Sequence, residues 1–135
     1  MKSFHRIPLP GLLLVAAITS TQSLHSAAPP ERESSVLEFL SIDGRRIPAV
    51  LSMPRGAGPY PAVVTIHGGD GDREISYLRT LAVSNDATPT VTALNAQPWA
   101  ILSIDYRSGL FGLEEDDVVA GIRFAKTLPR VDPAR

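Results

Sequence analysis

Apolar residues from Val36 onward fall into short, separated runs, and the spacing within each run sets the element expected there. Val36–Ile42 alternates, with Val36, Glu38 and Leu40 set against Leu37 and Phe39, which predicts a half-buried strand. Asp43-Gly44 is a strong turn signal, and Ile47–Met53 returns as the second strand of a hairpin. Pro48 has no N–H to give to a ladder, so it marks that strand as an edge or a bulged one. Pro54–Pro61, with three prolines and two glycines, is a loop. Ala62–Ile66 is a continuous apolar, β-branched run, the pattern of a strand buried on both faces of a parallel sheet.

Helical spacing follows. Ile75, Leu78, Leu81 and Ala82 predict a helix over Glu74–Ala82, which Ser84-Asn85-Asp86 interrupts. Thr88-Pro89 restarts a short helix, with an N-cap and a proline at its first position, that ends at Pro98. Trp99–Ile104 is a second buried-type strand. The strongest helix is Leu113–Leu128, with acidic residues at its start, Arg123 and Lys126 toward its end, and Pro129 as its stop. Val118, Ile122 and Ala125 share its apolar face, flanked by Val119 and Phe124. A β-hairpin followed by β, α, β, α implies an α/β fold whose later strands run parallel through right-handed crossovers.

Composition narrows the class. The chain has 135 residues, room for one modest domain, and a net charge of −1 with a pI near 6.3. That balance leaves no electrostatic footprint for nucleic acid. Cysteine is absent, which excludes disulfides and thiolate metal sites. Residues 1–28 read as a signal peptide: Lys2 and Arg6 form a basic start, and Leu9–Ile18 is too short to span a bilayer, where about twenty apolar residues are needed. The expected destination is therefore secreted or periplasmic, with residues 29–35 as a polar linker and 36–135 as the folded part.

The candidate chemistry lies where strands end. His67-Gly68-Gly69-Asp70-Gly71 has three readings: a plain strand-ending turn, a phosphate loop, or an oxyanion loop in which the Gly69 and Asp70 N–H groups face developing negative charge. The phosphate reading is weakest, because no Gly-x-Gly-x-x-Gly spacing or following Lys-Ser/Thr is present. Asp70, Asp72 and Glu74 alternate, yet they lack the remaining ligands of a calcium loop and read as solvated carboxylates. No metal or other cofactor is expected. Asp105-Tyr106-Arg107 reads as a structural turn, with Arg107 pairing to Asp105, and Glu114–Asp117 as a solvated helix start. Serines 52, 76, 84, 103 and 108 all fall outside Gly-x-Ser-x-Gly, and no histidine follows His67, so the chain offers no catalytic triad in the expected order.

Four segments occur in a telling order: Ser41–Val50, Tyr60–Gly69 with its His67-Gly68-Gly69 ending, Ala100–Gly109 with Asp105-Tyr106-Arg107, and Val131–Arg135. Together they resemble the N-terminal part of an α/β-hydrolase domain, similar to the prolyl oligopeptidase and dienelactone hydrolase families. The resemblance implies a partial α/β-hydrolase fold that stops before the nucleophile elbow. In it His67, Gly68, Gly69 and Asp70 form the oxyanion-hole loop of a serine esterase or peptidase. It also implies a small-molecule ester or peptide as substrate in a complete relative, and inactivity of this chain alone. Without a fifth strand, Ala62–Ile66 is expected to expose an edge open to self-association or to a complementing chain. The competing expectations are a non-catalytic secreted module that binds a ligand or partner, and one half of a split hydrolase.

Overall fold

The computed structural model describes residues 28–83, 88–108 and 112–135; nearly all of the expected signal peptide and the Ser84-Asn85-Asp86 interruption lie outside them. Asp43 and Gly44 turn the chain between β1 (Arg32–Leu40) and β2 (Arg46–Pro54), and the Ser41 N–H closes the turn on the Arg45 carbonyl at 2.8 Å. β1 begins inside the segment expected to be linker. No apolar alternation announces Arg32–Ser35; the ladder to β2 and the Arg32 guanidinium hold it there. That guanidinium donates to Ser52 Oγ at 2.8 Å and to the Trp99 carbonyl at 2.6 Å.

The sheet has the order β1-β2-β4-β3, with β3 at Ala62–Ile66 and β4 at Ala100–Ile104. β4 runs antiparallel to β2 and parallel to β3, so the parallel expectation holds for the second pair and the sheet is mixed. β2 is thus an inner strand, contrary to the reading of Pro48 as an edge marker. The Pro48 carbonyl accepts from the Asp105 N–H at 3.1 Å, beyond the last ladder pair Ala49↔Ile104. The N and C=O of one strand residue face the same side, so its missing N–H falls where that ladder has already ended.

β3 corrects a second expectation. Among the described strands it pairs only with β4, its side chains are partly exposed, and Ile66 keeps 52% of its surface in solvent. On its outer side the last residues of the chain begin a parallel pairing. Asp132 N–H donates to the Tyr60 carbonyl at 2.8 Å, and Ala62 N–H to the Arg135 carbonyl at 3.2 Å. The alternation of the backbone then leaves the outward N–H and C=O groups of Val64 and Ile66 without a strand partner among the described residues.

Helices cover both faces. α1 (Ile75–Ala82) buries Leu78 and Ala82 against Val50 and Ile101, and α2 (Pro89–Asn95) joins it through Asn95, which donates to the Ala82 carbonyl at 3.0 Å. α3 (Leu113–Ala125) packs Ala120 and Ala125 over Phe39, Ala49, Leu51, Leu102 and Ile104. Its inner face is the expected one only in part: Ala125 is buried and Val118 and Phe124 pack against the core. Asp117, Ala120, Gly121 and Ala125 are buried, whereas Ile122 and Val119 are exposed. Small residues let the helix sit close: a Cβ on Gly121 would meet Ile104 Cδ1 at 2.7 Å.

Candidate functional site

The parallel pairing Ile66↔Ile104 brings the ends of β3 and β4 side by side, so the next residue of each, His67 and Asp105, emerge as neighbours. Asp105 Oδ1 stands 2.8 Å from His67 Nε2, and both side chains are buried. The Tyr106 ring stacks on the imidazole with centroids 4.3 Å apart, and Tyr77 meets it edge-on at 6.0 Å. His67 is therefore wedged between aromatic rings and held by a carboxylate. It anchors the turn and faces no nucleophile among the described residues.

The same two residues of the β4 turn hold the whole glycine-rich loop. Asp105 Oδ2 accepts from the Arg73 N–H at 3.1 Å, at the far end of the loop, and the Asp72 N–H donates to the Tyr106 carbonyl at 3.3 Å. Tyr106 Oη reaches back to the carbonyls of Gly69 at 2.6 Å and His67 at 3.1 Å. With those carbonyls turned toward Tyr106, the N–H groups of Gly68, Gly69 and Asp70 find no acceptor among the described residues. Successive N–H groups left unpaired at a strand end are a type of site that can receive negative charge. Two glycines permit this path: Gly69 has φ +79°, and a Cβ on Gly71 would overlap the Tyr106 carbonyl oxygen.

Arg107 does not pair with Asp105, as the sequence suggested. Its guanidinium turns the other way, donating to Asp117 Oδ1 at 2.6 Å and Oδ2 at 2.9 Å, to Ser41 Oγ at 3.0 Å, and to Asp43. Asp117, read as part of a solvated helix start, is wholly buried. The Asp117 bonds, with Asp43 second, raise the Arg107 pKa above its usual value. Burial alone would raise the Asp117 carboxyl, but the bonds from Arg107 and Ser41 outweigh it and hold the pKa below the ordinary carboxylate range. The cluster ties the β1–β2 turn, the β4 turn and α3 into one support, and Arg45 adds a surface tie to Asp72 of the loop at 3.1 Å. An arginine two residues after Asp105 was the only hint of it in the sequence.

No serine meets His67 among the described residues. Ser52 is buried against Arg32, Ser103 is buried with no partner for its hydroxyl, Ser76 bonds Glu74, and Ser84 lies outside the described residues. Ser108 is half-buried beside Gly71 and makes no bond to the imidazole. Asp72 and Glu74 turn to Arg45 and Ser76, and the described residues assemble no group of metal ligands. Between the loop and α3 lies an open cleft of about 550 Å³, lined by Ile66, Gly69, Tyr106, Glu114, Val118 and Val119.

No protein-family model matches the chain, and no curated protein matches it in sequence. Solved structures do match in three dimensions. A structure of esterase Est22 superposes with a TM-score of 0.54 at 17% identity, over 79% of this chain and 33% of that one. Est22 with p-nitrophenol gives 0.57 at 17% identity, over 75% and 32%. This is part of an α/β-hydrolase fold. Hypothetical protein PA2218 from Pseudomonas aeruginosa shares it, with a TM-score of 0.51 at 18% identity over 82% of this chain and 36% of that one. The chain spans about a third of the length of these solved structures. Within the hydrolase fold described here, His67-Gly68-Gly69 ends β3 and Asp105-Tyr106-Arg107 ends β4.

Proposed function

We propose that this chain supplies the oxyanion-hole loop of a secreted or periplasmic serine hydrolase that cleaves esters or peptides. The observation that carries the reading is the row of unpaired N–H groups at Gly68, Gly69 and Asp70, fixed from behind by Asp105 and Tyr106. In hydrolysis the carbonyl oxygen of the substrate gains charge as the tetrahedral intermediate forms. Gly69 and Asp70 N–H groups then donate to that oxygen without having to reorganise, an effect of about 3–4 kcal/mol per donor. The fold shared with esterase Est22 favours acyl transfer over other anion chemistry for this loop.

Among the described residues no group is placed to carry the proton transfer of such a reaction. His67 commits Nε2 to Asp105 and is flanked by two tyrosines, and no serine among the described residues reaches it. The 135-residue chain alone is accordingly expected to be inactive. Full-length chain incubated with p-nitrophenyl acetate and a fluorophosphonate probe should show neither turnover above buffer nor covalent labelling. Stoichiometric labelling of a serine would contradict this. A second role is favoured by the outer side of β3, where pairing begins at Tyr60 and stops before Val64. That edge is suited to a further strand, from a complementing chain or from a second copy.

A further inference from the structure

At the end of the sheet away from the glycine-rich loop, Arg32 is a part-buried cation that meets no carboxylate among the described residues. Its partners are all neutral oxygens. Nε donates to Ser52 Oγ at 2.8 Å, Nη2 to the Ser52 and Trp99 carbonyls at 3.0 and 2.6 Å, and Nη1 to the Gln97 carbonyl at 3.1 Å. A guanidinium carries one N–H more than these bonds use, and the one left over is on Nη1. The glutamates on either side of Arg32 in sequence go elsewhere, Glu31 to Arg55 at 3.6 Å and Glu33 to Arg130. Burial without a counter-charge holds the Arg32 pKa below its usual value. Arg32 also lines a half-open cavity of about 360 Å³, walled by Pro29, Pro30, Val83 and Ala96, with Thr92 adding a hydroxyl. No acidic side chain among the described residues lines it.

We infer that this cavity is a second binding site, for a monocarboxylic acid with an apolar body whose carboxylate pairs with Arg32. The acid brings the missing counter-charge and accepts the remaining Nη1 N–H, so the bonds that tie β1 to the start of β4 stay in place. Thr92 Oγ1 donates to the Thr88 carbonyl at 3.4 Å, a long bond that its hydroxyl can give up to the second carboxylate oxygen. The prolines, Val83 and Ala96 then cover the body of the acid. A single aromatic ring fits, since a cavity of about 150 Å³ is enough to take benzene. Inorganic phosphate suits the site less well, because one free N–H and apolar walls replace little of its hydration. Trp99 precedes β4 and Asp105 follows it, so the cavity and the loop lie at opposite ends of that strand. The site therefore stands whether or not the loop serves acyl transfer. A bound acid bridges the entry to β1, the end of α1 and α2, and so stabilises the folded chain.

The test is a solution NMR titration of the full chain at constant ionic strength with sodium benzoate, with neutral benzyl alcohol and with sodium acetate. The Arg32 Nε–H signal and the Val83 and Ala96 amides report binding. Benzoate should move all three in a saturable way and bind at least about tenfold more tightly than benzyl alcohol, as expected for a hydrogen-bonded charge. Acetate, which lacks the apolar body, should bind at least about tenfold more weakly than benzoate. Arg32→Gln should erase the preference for the acid. Because that change also loosens β1, Ala96→Leu serves beside it: it fills the cavity, leaves the Arg32 bonds alone and should weaken benzoate by at least about tenfold. Asp86→Asn, at a position outside the described residues, should change the affinity by no more than about twofold. A gain of about tenfold there would mean that a carboxylate of this chain already meets Arg32, and would overturn the inference. Equal affinity for benzoate and benzyl alcohol, binding that survives Ala96→Leu, or shifts confined to the Gly69 and Asp70 amides would overturn it as well.

Discussion

At the scale of single residues, the loop is built by what holds its carbonyls. His67 and Gly69 turn theirs toward Tyr106, and across a planar trans peptide that points the Gly68 and Asp70 N–H groups away from it. Asp105 is the key support, because one carboxylate holds His67 at the start of the loop and Arg73 at its end. Asp105→Ala should cost about 2–3 kcal/mol, since it strands a buried imidazole nitrogen and a backbone N–H. Urea unfolding measures that loss. Gly71→Ala forces a methyl group into the Tyr106 carbonyl and should destabilise the chain by about 1–3 kcal/mol by the same assay. The His67-Gly68-Gly69 turn was readable in the sequence because its glycines are adjacent. Its partnership with Asp105 was not, because pairing across 38 positions leaves no local periodicity.

At the scale of elements, α3 shows where pattern reading stops. Its ends were marked by acids, bases and a proline, but its buried side was only partly legible: Ala125 is on it as expected, while Ala120, Gly121 and a charged residue take the place expected for Ile122. Asp117 goes inward because Arg107 and Ser41 satisfy it there, a three-element contact that hydropathy cannot register. Asp117→Ala leaves Arg107 buried and unbalanced on that side, and should cost about 3–5 kcal/mol. The lowered Asp117 pKa also fixes a pH dependence. Its stabilisation is fully present above the unfolded carboxyl value of 3.8 and is lost as pH falls through the lower folded value. Unfolding midpoints measured from about pH 6 downward should therefore drop on the acid side, and Asp117→Asn should flatten that drop. Strand positions were easier to read. Pro48 misled because the fold places its missing N–H past the end of a ladder, and Ala62–Ile66 misled because an apolar run reads the same at an edge as inside a sheet.

For the whole molecule, the fold class followed from element order, since two β-branched runs separated by helical spacing have few ways to pack. The edge place of β3 did not follow from its own residues, which read as buried on both faces; it followed from the family resemblance, which set the fourth strand on one side of it and left the other side open. If the outer side of β3 takes another strand, the chain should self-associate in isolation. Ile66→Lys should weaken that association in sedimentation velocity while changing stability by no more than about 0.5 kcal/mol. The central claim concerns the loop amides, and ethyl methylphosphonate, a tetrahedral anion shaped like the hydrolytic intermediate, probes them most directly. Titrated into the full chain under NMR observation, it should shift the Gly69 and Asp70 amide signals first and furthest, in a saturable way. A response confined to Arg73, with both amides unmoved at saturation, would contradict the oxyanion-loop account.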